Sequence, residues 1–233
     1  MIMEIGGLQK TTLIDFPGRI AATIFLCGCN FRCPWCYSSE LVLPEKIKNQ
    51  PKITEKEFFE FLKSRKELLD GVVICGGEPT VNKDLPEFIK KIKNLGFLVK
   101  LDTNGSNPRM LKNLIDKKLV DYIALDIKGP KEKYSQFTGV KIDTKKIQES
   151  IDILMGDEID YEFRSTIVPS LHTKEDVIEM AKWIKGAKRY YLQNFRPEKT
   201  IDKKFEKIKP YPQEFLLEIQ KIISPFFETC QIR

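Results

Sequence analysis

Four of the six cysteines in this chain fall within ten residues, inside the segment FLCGCNFRCPWCYSS at positions 25–39. Cys29, Cys33 and Cys36 have the spacing C-x3-C-x2-C, and Cys27 stands just before them. A structural zinc site takes four ligands, usually as two pairs well apart in the sequence, and the second pair is missing here. Three thiolates on a four-iron cluster would instead leave one iron open to a substrate or cofactor, as catalytic metal sites do.

The other cysteines leave two further interpretations open. Cys27 could complete a zinc site only if all four ligands sat on one small loop. Cys75 or Cys230 could supply a distant fourth ligand to an electron-carrying cluster, which normally uses four cysteines. Because a free cysteine behaves as a small apolar residue, we expect Cys75 and Cys230 to be buried, inert thiols instead.

Composition and charge limit what kind of protein carries this chemistry. With 233 residues and 42% apolar composition, the chain fits one large domain. It has no run of about 18 uncharged apolar residues and no basic stretch leading into an apolar core, so we expect neither a membrane span nor a secretory signal. The expected location is the cytoplasm, where thiols stay reduced. The net charge of +6 is the small difference between 39 basic and 33 acidic residues, and no basic block carries interleaved aromatics, which argues against a nucleic-acid surface.

A repeated pattern supplies the elements that must position the cysteines. A short apolar, often β-branched run is followed by a polar turn and then by a segment of helical period. Helix starts are readable at Thr54, Asn107, Thr144, Thr173 and Pro212, where a capping residue or a proline precedes an apolar face. The six apolar runs span residues 19–27, 71–75, 97–102, 120–127, 161–168 and 189–193.

Six strand–helix units with nearly continuous apolar strands predict a parallel sheet that is buried on both faces. Six units are too few to close an eight-stranded barrel, so we expect an α/β fold, a partial (β/α)6 TIM-like barrel with its helices outside. An open doubly wound sheet is the alternative. The predicted division is an N-terminal extension at 1–18, the partial barrel at 19–195, and a C-terminal helix followed by an edge strand, a lid or a docking surface at 196–233.

Residues able to do chemistry gather where the predicted strands end. The cysteines follow the first strand, GGEP (76–79) follows the second, DTNG (102–105) the third and DIKG (126–129) the fourth, while Arg164 lies inside the fifth. In both architectures the carboxyl ends of parallel strands meet at one edge and form the ligand site. The pattern therefore predicts one site at that edge.

The segment CNFRCPWC resembles the CxxxCxxC signature of the radical S-adenosylmethionine superfamily, and the resemblance covers about residues 19–195. It implies a [4Fe-4S] cluster held by Cys29, Cys33 and Cys36. In that family the open iron is chelated by the amino and carboxylate groups of S-adenosylmethionine. An electron from the cluster then cleaves the sulfonium and releases a 5′-deoxyadenosyl radical.

The resemblance also assigns residues to the cofactor. Gly76 and Gly77 remove side chains where the backbone must approach a ligand closely, and Glu78 can accept hydrogen bonds from the methionine ammonium. Trp35 matches the position whose ring or backbone meets the adenine, and Tyr37 is counted with it among the cofactor-binding residues. Taken alone, GGEP would be a turn and Trp35 a core aromatic residue.

Two aspartates that end consecutive strands are further cofactor-side candidates. The runs LDTNG and LDIK are similar to those of the pyruvate formate-lyase activating enzyme, which implies that Asp102 and Asp126 hold a monovalent cation beside the cofactor. The same resemblance places Lys128 at the ribose and Arg164 beside the cofactor. The simpler interpretation is that both aspartates cap the following loops. A buried arginine within a strand needs an anionic partner in either case.

The opening run GGLQKTTLIDFPGRIAATIFLCGCNFRCPWC resembles activating proteins of glycyl radical enzymes, nearest to those of anaerobic ribonucleoside-triphosphate reductases. The implied reaction removes a hydrogen atom from a glycine of a partner glycyl radical enzyme, such as an anaerobic ribonucleotide reductase, with flavodoxin or ferredoxin as electron donor. No catalytic side chain is predicted, because the radical formed on the cofactor does the abstraction. The alternatives are a radical S-adenosylmethionine enzyme acting on a small molecule or a tRNA base, like 7-carboxy-7-deazaguanine synthase, and a non-catalytic metal-binding or electron-transfer protein.

One departure from the related activating enzyme concerns histidine. The pyruvate formate-lyase activating enzyme has a histidine near the cofactor after its sixth strand, whereas this stretch reads LQNFRP (192–197) here. Asn194 is the candidate to replace it. The only histidine, His172, is predicted to be a loop residue, with contact to a partner or a lid as the alternative.

Overall fold

A single sheet of eight strands organises the protein, and the computed structural model describes residues 3–156 and 158–233. The strands lie in the sheet in the same order as in the chain, from β1 to β8. They are β1 (Ile5–Thr12), β2 (Ala21–Leu26), β3 (Gly71–Gly76), β4 (Leu98–Thr103), β5 (Tyr122–Asp126), β6 (Asp160–Ile167), β7 (Arg189–Asn194) and β8 (Thr229–Ile232).

All neighbouring strands from β2 to β8 are parallel, and only β1 runs antiparallel to its neighbour β2. The six predicted parallel strands correspond to β2–β7, which confirms the α/β fold with a parallel sheet. The sheet continues beyond this prediction at both ends. The strand β1 lies in the predicted N-terminal extension, and β8 is the edge strand that was one of three interpretations for residues 196–233.

Nine α-helices lie in the described part of the chain, most of them between successive strands. They are α1 (Ser39–Val42), α2 (Pro44–Asn49), α3 (Glu55–Ser64), α4 (Leu85–Asn94), α5 (Pro108–Asp116), α6 (Tyr134–Thr138), α7 (Thr144–Met155), α8 (Lys174–Trp183) and α9 (Gln213–Ile223).

The predicted helix starts depend on local hydrogen bonds that the structure contains. Thr54 caps α3 through a reciprocal capping box with Glu57, and Thr173 does the same for α8 with Asp176. Asn107 accepts from the Met110 N–H at the start of α5. The start of α7 differs by one residue, because the capping side chain is Asp143 and not Thr144.

Apolar side chains cover the outer side of the sheet. On the inner side they are packed only at the amino ends of the parallel strands. A separate buried cluster of Phe16, Ala21, Val73 and Tyr122 lies at the amino ends of the parallel strands. The Phe16 and Tyr122 rings are 6.2 Å apart, so the turn after β1 closes this end of the partial barrel. Polar side chains and open space are left to the carboxyl ends.

None of the helices in the described ranges is both long and apolar enough to cross a membrane.

Candidate cofactor site

A cavity of about 440 Å³ opens at the carboxyl ends of the parallel strands. Every residue predicted for the cluster and the cofactor contributes to its wall, so the expected convergence is present. These residues are Cys29, Cys33, Trp35, Cys36, Tyr37, Gly76, Gly77, Glu78, Asp102, Asp126, Lys128 and Arg164. Their individual roles toward a cofactor remain predictions.

The three spaced cysteines line one wall of this cavity. Cys33 is buried, Cys29 and Cys36 are partly buried, and the Phe31 N–H donates a hydrogen bond to Cys29 Sγ at 3.3 Å. Burial raises the pKa of Cys29 to about 11 and that of Cys33 to about 12. Metal ligation requires thiolates, so a bound metal group would supply the positive charge that stabilises them. Across residues 3–156 and 158–233, no three Cys, His, Asp or Glu side chains form a group that could hold a single metal ion.

The other cysteines are separated from these three. Cys27 is buried outside the cavity wall, and its Sγ lies beside Gly6 of β1. Cys75 lies on β3 and reaches the cavity wall, where burial raises the pKa of its thiol. Cys230 lies on β8, opposite Tyr190 of β7. Cys75 and Cys230 are partly buried, which is less complete than predicted.

The two glycines of GGEP are required by close packing against the cysteine loop. Gly76 has φ +115°, a conformation that L side chains rarely adopt. A Cβ on Gly77 would lie 2.0 Å from the Gly28 carbonyl oxygen. Two backbone hydrogen bonds hold the two segments this close together. Gly77 N–H donates to Leu26 O at 2.9 Å, and Glu78 N–H donates to Gly28 O at 2.7 Å. The glycines therefore join β3 to the cysteine loop, whatever they do for a ligand.

We expect Gly77→Ala to destabilise the protein by ~3 kcal/mol or more, because the new methyl group would collide with backbone atoms that cannot rotate away. Gly7→Ala is the matched control, since a Cβ there meets only the Phe25 side chain, at 3.4 Å. Urea unfolding followed by circular dichroism measures both variants. Equal unfolding midpoints for the two variants would show that the loop contact is dispensable.

Glu78 is buried, and its carboxylate is held by donors from its own loop after β3 and from the loop after β4. Oε1 accepts from the Thr80 N–H at 3.1 Å, from the Thr80 hydroxyl and from the Thr103 hydroxyl at 2.7 Å. Oε2 accepts from the Asn104 N–H at 2.6 Å. These bonds join the loop after β3 to the loop after β4. Oε2 accepts one of these hydrogen bonds although a carboxylate oxygen can accept two, and the contact of Glu78 with a cofactor stays a prediction.

Arg164 bridges the two aspartates that end β4 and β5. Its Nη1 lies 2.9 Å from Asp102 Oδ2, and its Nε lies 3.0 Å from Asp126 Oδ1. Lys100 pairs with Asp102, and Lys128 Nζ lies 3.2 Å from Asp126 Oδ2. Burial alone would raise the pKa of Asp126, but the charges of Arg164 and Lys128 outweigh it and hold this pKa at about 2.

This network bears on the predicted monovalent cation. The two carboxylates converge as expected, but the charge between them is the guanidinium of Arg164. A capping role for the aspartates, the simpler interpretation, is not what they do in this structure. Protein cations already compensate both carboxylates, so a metal cation gains no support here.

Aromatic and basic side chains form the wall between the cysteines and this network. Trp35 is buried, and its indole N–H finds no hydrogen-bond partner among the described residues. Lys128 Nζ lies 5.3 Å from its ring centroid. Tyr37 is half-exposed at the rim. An unpartnered buried donor is costly, and it fits a site completed by another molecule.

His172 is a loop residue between β6 and α8, as predicted, but it is buried. Val168 N–H donates to Nδ1 at 3.0 Å, and Nε2 lies 3.0 Å from the Lys128 carbonyl oxygen. Burial lowers the pKa of His172 to about 4, so the ring is neutral and Nε2–H is the donor to Lys128. Burial also leaves the ring no surface for a partner, and its role is to hold the loop that carries Lys128.

The stretch after β7 corrects one sequence expectation. Asn194 donates to the Tyr211 carbonyl oxygen at 2.7 Å, which holds the C-terminal segment and does not put the amide in the cavity. Gln193, one residue earlier, lines the cavity instead. Period-2 alternation along β7 could have identified the inward-facing residue.

Further cavity-lining residues come from the antiparallel end of the sheet. Gln9 on β1, Asp15 in the following turn and Thr23 on β2 all reach the cavity, and the Thr23 hydroxyl donates to Asp15 at 2.8 Å. Their contribution was missed because β1 was not predicted. Alternation within the apolar run 19–27 indicates that Thr23 faces inward, but no local sequence pattern identifies Gln9 or Asp15 as cavity residues.

Comparison with known proteins identifies the family. The model of the Radical SAM superfamily matches residues 23–184. The chain belongs to the radical S-adenosylmethionine superfamily. The three cysteines in the cavity wall fit the [4Fe-4S] cluster that this family implies, and the unpaired indole N–H of Trp35 fits the S-adenosylmethionine.

The relatives of this superfamily member fall into two groups. A Methanocaldococcus jannaschii protein provisionally named a glycyl-radical enzyme activating enzyme is 35% identical over 98% of this chain and 95% of its own. A second protein of that organism with the same provisional name is 30% identical over 92% and 84%. The 7-carboxy-7-deazaguanine synthase of Aquifex aeolicus is 34% identical, but over only 38% of each chain.

Solved structures share the fold. SuiB of Streptococcus suis bound to S-adenosylmethionine superimposes with a TM-score of 0.64 at 16% identity, over 87% of this chain and 48% of SuiB. QueE of Escherichia coli gives a TM-score of 0.58 at 15% identity, over 100% and 95%. These likenesses confirm the partial-barrel architecture.

Proposed function

We propose that this protein is an activating enzyme for a glycyl radical enzyme. The observation that carries the proposal is the 35% identity to the first Methanocaldococcus protein, which extends over nearly the whole of both chains. The superfamily match alone is shared with enzymes that act on small molecules. A correspondence from end to end includes the segments outside the shared core, which are the ones expected to determine the substrate.

The residues of this chain divide the work of cofactor binding. Cys29, Cys33 and Cys36 are the ligands for the cluster, and Lys128 and Arg164 hold the positive charge beside the cofactor. Bound there, S-adenosylmethionine and the cluster supply a carbon-centred radical able to remove a hydrogen atom. The protein binds, orients and keeps water away from these groups, so no side chain has to act as an acid or base.

The unassigned part of the cavity suits a polypeptide better than a phosphorylated substrate. It carries the amides of Gln9 and Gln193 and the hydroxyl of Thr166, groups that pair with peptide N–H and C=O. Among the described cations of the cavity wall, Lys128 and Arg164 are already paired with carboxylates, which leaves Arg196. A phosphate-bearing ligand is usually met by several cations.

The proposed partners follow from this activity. The substrate is a protein that carries the glycine to be oxidised, such as an anaerobic ribonucleotide reductase. The electron comes from a flavodoxin or a ferredoxin, because the three cysteines other than Cys29, Cys33 and Cys36 lie apart, after β2, on β3 and on β8, and do not form a ligand set for a second cluster.

A second candidate is a radical S-adenosylmethionine enzyme for a small molecule, and one specific observation favours it. The aligned part of the Aquifex 7-carboxy-7-deazaguanine synthase is 34% identical to this chain. The identity covers a minority of the chain, and QueE shares the fold alone, so the activating enzyme remains the preferred function.

Anaerobic incubation tests the proposal directly. The protein with reconstituted cluster is mixed with S-adenosylmethionine, dithionite and a glycyl radical enzyme from the same source. We expect a glycyl doublet in the electron paramagnetic resonance spectrum and one 5′-deoxyadenosine per radical. Replacing the target glycine of the partner by alanine is the control, and it removes the doublet. Turnover of a purine-like substrate without any protein radical would support the second candidate instead.

A further inference from the structure

A basic surface lies directly against the cysteine loop, and the proposed cofactor site does not account for it. Residues 196–210, RPEKTIDKKFEKIKP, are called the basic segment here. The segment contains six cationic and three acidic residues, a net charge of +3 within 15 residues of a chain whose total is +6. The cationic residues are Arg196, Lys199, Lys203, Lys204, Lys207 and Lys209.

The basic segment is fixed to the metal-binding loop by its backbone. Ile201 N–H donates to the Cys36 carbonyl oxygen at 3.0 Å, and Asp202 N–H donates to the Pro34 carbonyl oxygen at 2.8 Å. Phe205 is buried and packs edge-on against Phe195 at 6.4 Å. The segment is therefore an ordered outer wall of the cluster loop.

The charges of this wall are unused inside the protein. All six cationic side chains are exposed, and no ion pair joins any of them to a carboxylate of the described residues. Some exposed lysines elsewhere are paired, as Lys91 is with Glu55 and Lys182 with Glu179, so the basic segment differs from the rest of the surface by the number of unpaired cations that it brings together. Asp202, an acidic residue of the segment, accepts from the Lys204 N–H and so caps the short 3-10 helix that follows.

A second opening in the surface continues this wall. A groove of about 500 Å³ is lined by Lys46, Lys199 and Lys203, with Glu40 and Glu206 at its side. At the other end of the segment, Arg196 reaches the wall of the cofactor cavity. The basic surface thus extends from the mouth of the cavity across the outside of the cysteine loop.

We propose that the basic segment is the docking surface for an acidic one-electron carrier protein. The inference rests on the proposed function only in assigning the redox-active cluster to the three cysteines. One electron leaves the reduced flavin or iron–sulfur centre of the carrier and enters the group that the thiolates hold, and no atoms are exchanged. Unpaired exposed cations attract an acidic partner and accelerate encounter, and a carrier seated here lies next to the Cys36 loop.

Charge reversal on the basic segment tests the docking. The test variant Lys203→Glu/Lys207→Glu changes two exposed residues of the segment. The control variant Lys63→Glu/Lys66→Glu makes the same charge change at two exposed residues before β3, at the amino ends of the strands. Both variants are prepared with the cluster bound. Titration with a flavodoxin from the same source gives a dissociation constant, and stopped-flow bleaching of the cluster by reduced flavodoxin gives a rate constant.

We expect Lys203→Glu/Lys207→Glu to weaken flavodoxin binding and slow reduction by about tenfold or more at low salt, with a loss that shrinks as salt is added. Lys63→Glu/Lys66→Glu should change both values by about twofold or less. These residues lie at the amino ends of the strands, so salt screens most of their electrostatic effect on a carrier docked at the cysteine loop. Equal effects in the two variants would overturn the proposal.

A dithionite control separates this inference from the proposed function. Dithionite needs no docking surface, so both variants should form glycyl radical at the native rate with it. If Lys203→Glu/Lys207→Glu instead loses glycyl radical formation with dithionite and keeps flavodoxin binding, the segment docks the substrate protein and the inference is wrong. If the native protein forms no glycyl radical at all, the proposed function fails, while the flavodoxin titration still decides the docking.

Discussion

Cys29→Ala, Cys33→Ala and Cys36→Ala are each expected to abolish reductive cleavage of S-adenosylmethionine. Each thiol lines the same cavity wall, and three ligands are the fewest that hold a cubane while keeping one iron open. A lost ligand removes both the metal and the thiolate that compensates its charge. We expect iron and sulfide contents after anaerobic reconstitution to fall to the level of unspecific binding, and 5′-deoxyadenosine formation to fall by at least about a thousandfold.

The other cysteines provide matched controls within the same chain. Cys27→Ala removes a buried thiol that lies only two residues before the first ligand but outside the cavity wall. Cys230→Ala removes the thiol on β8. Both variants should keep full iron content and turnover. Loss of the cluster in Cys230→Ala or Cys75→Ala would instead identify a fourth ligand and favour the electron-carrier interpretation.

A zinc site makes a different prediction for the same experiment. Zinc would bind at one ion per chain without sulfide, and it would show no absorption in the visible range. The native protein containing zinc and no iron would contradict the cluster assignment, whatever the cysteine variants do.

The sequence was sufficient to predict the convergence at the carboxyl ends of the strands because two independent patterns agree there. Apolar runs mark the parallel strands, and the motif residues follow them in order at Cys29, Gly76, Asp102 and Asp126. Parallel strands connected by helices have their carboxyl ends on one side, so the order of motifs along the chain already fixes their meeting place.

The strand β1 could not be predicted in the same way. Its exposure alternates poorly, since Gln9, Lys10 and Thr11 are exposed and the strand has register shifts on both sides of its middle. An edge strand is stabilised by pairing with one neighbour, and that pairing leaves no local apolar signature. Gln9 and Asp15 were missed as a consequence, although both reach the cavity.

Side-chain partnerships were also beyond the sequence. The motif GGEP suggested a carboxylate free to bind a ligand, but Glu78 is held by Thr80, Thr103 and Asn104, which belong to two separate loops. Only the three-dimensional arrangement shows which acceptor sites are used. The expectation that a buried arginine needs an anion was correct for Arg164, whose partners then proved to be the predicted cofactor-side aspartates.

Arg164→Gln is expected to destabilise the protein by roughly 3–5 kcal/mol, the usual result of removing one member of a buried ion pair. The Arg164 side chain is 14% exposed and faces Asp102 at 2.9 Å, Asp126 at 3.0 Å and Glu162 at 3.9 Å. Glutamine leaves these carboxylates with too little positive charge nearby. Lys112→Gln is the control, because Lys112 and Asp116 form an exposed pair whose loss should leave the unfolding midpoint nearly unchanged.

The stability lost in Arg164→Gln should depend on pH, and the pKa of Asp126 determines the direction of this dependence. Arg164 and Lys128 hold this pKa at about 2 in the folded protein, below the ordinary value near 4. A lowered folded-state pKa contributes stability that is present above the unfolded pKa and disappears as pH falls through the folded one. Urea unfolding should therefore show the full difference between native protein and Arg164→Gln at pH 7, and a smaller one at pH 3. A difference that stays the same on acidification would mean that Arg164 stabilises the fold by packing and not by neutralising Asp126.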